Sequence, residues 1–281
     1  MPYEVKVLSA ADPAPPPRRR ISVGAADTLV GGGVPVGSLS ALFGREGSGK
    51  STLSVAMACA AASKTTTLYA VADAEMTTDD VVRLAHRTNA PVEGLRLARI
   101  DAVEDAINAA MDYGAELLVL DSLNAACDWQ APRIKAAIGK LQRWCRGLDR
   151  AAIVLSMYDT AGRRAGGMAV AYRPDALIDL LAPDDRRFEQ ALELLLHTLD
   201  QEQREDLLGT ERTLDNLRLM RVHKSRFSPR GIVPFRMTAA GITHLQYSSD
   251  SELRQMLEGE GALDRGGDGS PRSGSNGTEA A

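Results

Sequence analysis

One nine-residue stretch constrains this chain more than any other: GREGSGKST, residues 44–52, with the spacing GxxxxGK[ST]. That spacing reads as a phosphate-binding loop closing a strand and opening a helix. Gly44, Gly47 and Gly49 let the backbone wrap an anion where side chains would collide. The helix that follows aims its first amides and its dipole at the same point. Lys50 offers a cation to the outer phosphates, and Ser51 places a hydroxyl where Mg²⁺ would sit. With Ser48 and Thr52 these residues form the expected nucleotide-binding set.

The loop stands in the right setting. LSALFG (39–44) is a short apolar strand, and the alanine-rich stretch 51–63 is helical. Further apolar strands are expected at 66–73, 95–100, 116–121 and 151–157. Helices fall between them at 78–88, capped by Thr78 or Asp79, from 103 to a stop at Gly114, and through Ile134, Ile138, Leu141 and Cys145. Strands apolar on both faces with helices between them predict a mainly parallel sheet covered on both sides. After residue 215 the short runs LRLMRVHKSR, IVPFRM and ITHLQY predict an antiparallel extension of one sheet edge. The fold class is therefore α/β.

Composition limits the alternatives. Of 281 residues, 44% are hydrophobic and only 4% aromatic, which is enough for one aliphatic core. The net charge of −4 argues against a protein that simply coats nucleic acid, though not against local basic patches. Cys59, Cys127 and Cys145 form no CxxC pair and the four histidines are scattered, so no zinc site is expected. No apolar run reaches the ~20 residues of a membrane span, and the sparse cysteines without a secretory signal suggest a reducing, cytoplasmic setting. Residues 1–20, ending in ADPAPPPRRR, read as an extended arm, either a leader or a contact to a neighbouring subunit or nucleic acid. Residues 21–248 form the compact block, and 249–281 are a disordered tail. Within the block, 184–216 is an inserted helical segment, with Phe188, Leu192, Leu195 and Leu199 on one face. It is either a docked surface helix or a partner-binding one.

Two carboxylates complete the site. Asp121 ends the apolar strand ELLVLD, where it could hold Mg²⁺ through a water or cap the next segment. Glu75, in AVADAEMT, follows the neighbouring strand and could polarise an attacking water, with Asp73 as its rival.

Taken in order, these motifs resemble the RecA/RadA/DnaB superfamily of P-loop ATPases over residues 21–247. ISVGAADTLVGGGVPVGSLSALFGREGSGKSTL looks like the RadA segment leading into the loop. VADAEMTTDD is similar to the RecA segment with the catalytic glutamate, and AELLVLDSLNAA to its Walker-B strand. AGGMAVAYRPDALIDL resembles the stretch after the second DNA-binding loop, and HKSRFSPRGIVPFRM the RadA KNRF motif and the Lys-x-Arg hairpin of DnaB helicases. The resemblance implies ATP and Mg²⁺ as ligands, hydrolysis in a homo-oligomer (hexameric ring or filament), and action on DNA, in the first place single-stranded. It implies that Lys224 and Arg226 reach a neighbouring subunit's site as catalytic cations. It puts DNA contacts near Trp129–Lys135 and on the loop 159–173, with Arg163, Arg164 and Arg173. A DnaB-type helicase core and a KaiC-like regulatory ATPase acting through protein partners are the alternatives. Three departures stand out: neither a zinc finger nor a protease-like domain accompanies the core, a short proline-rich arm stands where DnaB-type members carry a helical domain, and Met157 stands where relatives place a Gln or His sensor. A smaller one is Ser228, which replaces a glycine.

Overall fold

The computed structural model describes residues 17–27, 30–72, 76–159, 162–209, 214–226, 231–238 and 241–245. Asp73, Glu75, Ser228, the first part of the expected arm and the tail 249–281 lie outside the described residues.

The glycine loop follows β3 (Leu39–Phe43), a strand buried along its whole length. Its side chains alternate: Leu39, Ala41 and Phe43 enter one core and Leu42 the opposite one, as the period of two in a strand requires. β3 lies in a nine-stranded sheet of order β11-β10-β9-β8-β3-β7-β6-β4-β5. Six strands run parallel: β8 (Ala176–Leu181), β3, β7 (Ala151–Ser156), β6 (Leu117–Asp121), β4 (Thr67–Val71) and β5 (Leu95–Arg99). β9 (Leu217–Ser225), β10 (Gly231–Thr238) and β11 (Gly241–His244) extend the edge antiparallel, as the turn-separated runs predicted. A small ribbon, β1 (Arg20–Ile21) with β2 (Val34–Pro35), precedes the sheet.

Helices cover both faces. α1 (Lys50–Ala62) and α2 (Thr78–Arg87) pack on one side, through Leu53, Val55, Val81 and Ala85. α3 (Val103–Asp112) and α4 (Ala131–Gly147) pack on the other, through Val103, Ala106, Ile134, Ile138 and Leu141. The start of α2 corrects the expected cap. Thr77, not Thr78 or Asp79, is the N-cap, in a capping box with Asp80; its hydroxyl accepts from the Asp80 amide at 3.3 Å.

Two elements depart from the expectation: β8 is a strand with a charge inside it, and α5 (Gly167–Tyr172) makes part of the expected loop 159–173 helical. α6 (Arg186–Thr198) and α7 (Gln201–Leu208) fall in the expected helical segment 184–216. α6 docks through Phe188, Ala191 and Leu195 on a third core shared with Leu217, Leu219 and Ile232. The arginines at the end of the expected arm are tied to the domain. Arg18 donates to the carbonyls of Val36 and Gly37, Arg19 pairs with Glu116, and Arg20 donates to Gly33.

Candidate nucleotide site

Gly49 is the N-cap of α1 and takes the left-handed conformation, φ +94°. A β-carbon there would lie 2.6 Å from the Met237 sulfur of β10, the movable end of a flexible side chain, so it is the conformation that favours glycine. A β-carbon at Gly44 would meet the Leu180 carbonyl at 2.8 Å. Gly47, also at positive φ, faces open space. The loop is also held from behind, because Arg218 of β9 donates to the Ser48 carbonyl at 3.0 Å.

Lys50 is buried, and its ammonium donates to the carbonyls of Gly44 (3.0 Å) and Arg45 (2.7 Å). Burial lowers its pKa, while the charges of Asp121 and Glu46 oppose that shift. It is a desolvated cation facing a cavity of about 920 Å³, lined by Gly47, Gly49, Lys50, Ser51, Thr52 and Asp121 and bordered by Arg87, Trp129, Met157 and Tyr158. Ser48 Oγ is buried with no hydrogen-bond partner among the described residues. A nucleoside polyphosphate fits such a site: the glycine cradle is shaped for an anion, and the buried Lys50 cation faces the cavity. Lys50 would hold the outer phosphates, and Ser51 with Asp121 would hold Mg²⁺.

Asp121 is 5% exposed at the end of β6. Tyr69, buried in β4, donates to its Oδ2 at 2.9 Å, and Ser54 of α1 hydrogen-bonds the Tyr69 hydroxyl at 2.9 Å. Burial and the Asp121 charge raise the Tyr69 pKa, so the phenol stays a donor. This chain fixes the carboxylate's direction. The signal for it in the sequence was a tyrosine inside an otherwise apolar strand, TLYAV. Arg87 of α2 donates to Thr52 at 3.0 Å and closes the cavity on that side. Met157, where the resemblance implies a polar side chain, lines the cavity, and its amide donates to the buried Asn124 side chain at 2.9 Å.

The remaining candidates separate into two groups. Arg164 donates to both carboxylate oxygens of Asp179 (3.1 and 3.0 Å), a residue of β8 that is 2% exposed and that pairs in the sheet with Phe43, next to the loop. His223 lies 2.5 Å from the same carboxylate. Burial would raise the Asp179 pKa, but the hydrogen bond and charge of His223 and the charge of Arg164 hold it down at about 2. Arg163 is exposed and pairs with Asp159. Arg173 stands apart from both, with its guanidinium on the Lys135 carbonyl and its own carbonyl accepting from Gln142. Lys224 and Arg226 belong with it, at the N-terminal end of β8. Lys224 donates to the carbonyls of Tyr172 (2.5 Å) and Pro174 (2.8 Å), and Arg226 pairs with Asp175 at 3.2 Å. Residues 131–135 are the first turn of α4 rather than a loop, and Trp129 sits at the mouth of the nucleotide cavity. No helix among the described residues is long and apolar enough to cross a membrane.

Comparisons with known proteins agree with this geometry. The chain is 24% identical over 192 residues to the DNA repair protein RadA of Haemophilus influenzae, covering 66% of this chain and 42% of that protein. It is 26% identical over 169 residues to the Escherichia coli protein of the same name, covering 58% and 36%. It thus spans less than half the length of the curated relatives it matches. A KaiC-like protein from Pyrococcus horikoshii superposes with a TM-score of 0.60 at 17% identity, over 82% of this chain and all of that one, and shares the fold. The relatives, the shared fold and the loop are those of the RecA/RadA/DnaB superfamily of P-loop nucleotide hydrolases. The family model described as AAA domain matches residues 7–157, more than half of the chain, and the chain belongs to that family.

Proposed function

We propose that the chain is a RecA/RadA-type ATPase of DNA recombination and repair that hydrolyses ATP in an oligomer and acts on single-stranded DNA. One observation carries the oligomeric part. Arg218 anchors β9 at the chain's own phosphate loop, and Lys224 lies six residues further along the strand, about 20 Å away at strand spacing. The two cations therefore cannot serve their own site, and a catalytic role requires a second subunit's loop. Delivered there, they would stabilise charge on the outer phosphate as an arginine finger does.

Within each site, Lys50 orients the phosphates, and Mg²⁺ held by Ser51 and Asp121 neutralises their charge. Glu75 is the proposed base for the attacking water. The DNA part rests on the relatives named as repair proteins and on the exposed Arg163 in a glycine-containing segment, which suits backbone contacts without base reading. Arg164 and Arg173 are proposed contacts too, although both are already engaged within the chain.

The test is ATP turnover with and without single-stranded DNA. Lys50→Ala should abolish turnover, and Arg226→Ala should reduce it at least 10³-fold, roughly the lower value of a trans arginine. Equal turnover with and without DNA, together with no DNA retention, would overturn the DNA reading. Full activity of Arg226→Ala would overturn the finger.

A further inference from the structure

Asp175 immediately precedes β8, and its side chain is 3% exposed. Five contacts from three residues converge on it. Its backbone amide donates to the Leu39 carbonyl at 2.8 Å, and its Oδ2 accepts from the Leu39 amide at 3.1 Å. Its carbonyl accepts from the Arg226 amide at 3.0 Å, and its Oδ1 pairs with the Arg226 guanidinium at 3.2 Å. The same Oδ1 accepts from Arg146 of α4 at 3.2 Å. Asp175 thus grips the first residue of β3 twice and Arg226 twice. β3 is the central strand that ends in the phosphate loop, a rigid anchor rather than a mobile one.

The two arginines differ from their anchor in exposure. Arg226 is 54% exposed and Arg146 is 49% exposed, so each keeps part of its guanidinium outward while one edge is held. An arginine on a surface loop samples many rotamers, and fixing it on demand costs entropy. A buried carboxylate bonded to a central strand removes that freedom before a partner arrives.

We propose that Asp175 is the positioning residue for the trans finger: it presets the Arg226 guanidinium at the subunit surface and registers it to β3. This rests on the reading that Arg226 acts on a neighbouring subunit's site. Arg146 shares the same Oδ1 and adds a second cation to the anchor.

Mixed assemblies of the full chain provide the test. Asp175→Asn keeps an acceptor for the Leu39 amide but loses the charge that holds Arg226. Its turnover at saturating ATP should fall about 10- to 100-fold, the size of a small misplacement of a catalytic group. KM for ATP should stay within about twofold, because the residues around the nucleotide are at the other end of the sheet. Mixing it with Lys50→Ala, which has a dead site but an intact finger, should restore turnover, as should the same mixture made with Arg226→Ala. Asp175→Glu keeps the charge but shifts the guanidinium by a methylene. It should show the same split at smaller size, and it takes the asparagine's place if that variant does not fold. If Arg226→Ala is fully active, the finger reading itself is wrong. If Arg226→Ala is inactive but both Asp175 variants turn over normally, the finger stands and the positioning role is overturned. It is overturned equally if Arg226→Ala is rescued in the mixture and the Asp175 variants are not.

Discussion

One buried aspartate inside β8 and another just before it are solved in opposite ways. Asp179, the one nearer the phosphate loop, is enclosed by Arg164, His223 and Arg187, whose side chains are 23%, 29% and 31% exposed. Asp175, four residues earlier and about 13 Å away along the strand, is met by two arginines that are half exposed. The first node is closed: its cations have little left to offer outside. The second is open, because it holds its cations by one edge and presents the other. The same acid therefore consolidates the domain in one case and arms its surface in the other. The segment 159–173 shows the same contrast in miniature, where Arg163 faces solvent and Arg164, one residue on, is committed inward.

The largest expected effect separates the nodes directly. Asp179→Ala leaves the partly buried Arg164 and His223 facing a site without its carboxylate, while Arg187 keeps Asp185, and should cost about 3 kcal/mol in urea unfolding. Asp175→Asn should cost only about 1 kcal/mol, because its arginines can turn to water. Equal losses would erase the distinction between a closed and an open node.

Acid comes next. The Asp179 carboxyl has a pKa of about 2 in the fold and near 3.8 when exposed, since His223 and Arg164 outweigh the burial that would raise it. A depressed carboxylate contributes stability that is fully present above pH 4 and is lost as pH falls through 2. That amounts to about 2 kcal/mol. Unfolding free energy followed from pH 5 to pH 2 should show this descent, and Asp179→Asn should flatten it.

The adjacent arginines give a smaller but sharper contrast. Arg164→Ala should cost about 1–3 kcal/mol of stability by leaving Asp179 under-paired. Arg163→Ala should leave unfolding nearly unchanged while reducing the salt dependence of single-strand binding by about 0.7 in slope, one phosphate contact. A DNA defect in Arg164→Ala with normal unfolding would move that arginine to the surface group. A modest effect is expected at another buried carboxylate, Asp121, to which the neutral Tyr69 donates. Tyr69→Phe should cost about 1 kcal/mol and raise the Mg²⁺ concentration needed for half-maximal turnover.

Much of this was legible in the chain. The loop spacing, the apolar strands and the helical periodicity named the nucleotide site, the parallel sheet and the antiparallel edge, because each is a local pattern set by backbone geometry. Two signals were present but passed over: an aspartate inside the apolar run ALIDLL and a tyrosine inside TLYAV. A charge or a hydroxyl in a buried strand must have a partner, so each announces a contact without saying with whom. The helical character of 167–172 was hidden by Gly166 and Gly167 at its start.

What the sequence by itself determined is the phosphate loop, its strand and helix, and the identity of the charges available to it. Those follow from rules that act over a few residues. Only the tertiary structure decided which charges meet: that Arg164 turns to Asp179, that Arg226 and Arg146 share Asp175, and that Lys224 lies at the far end of the sheet from its own loop. Strand order and register join residues as far apart in sequence as Leu39, Asp175 and Arg226. No local pattern encodes such pairings, because they arise when distant strands choose their neighbours.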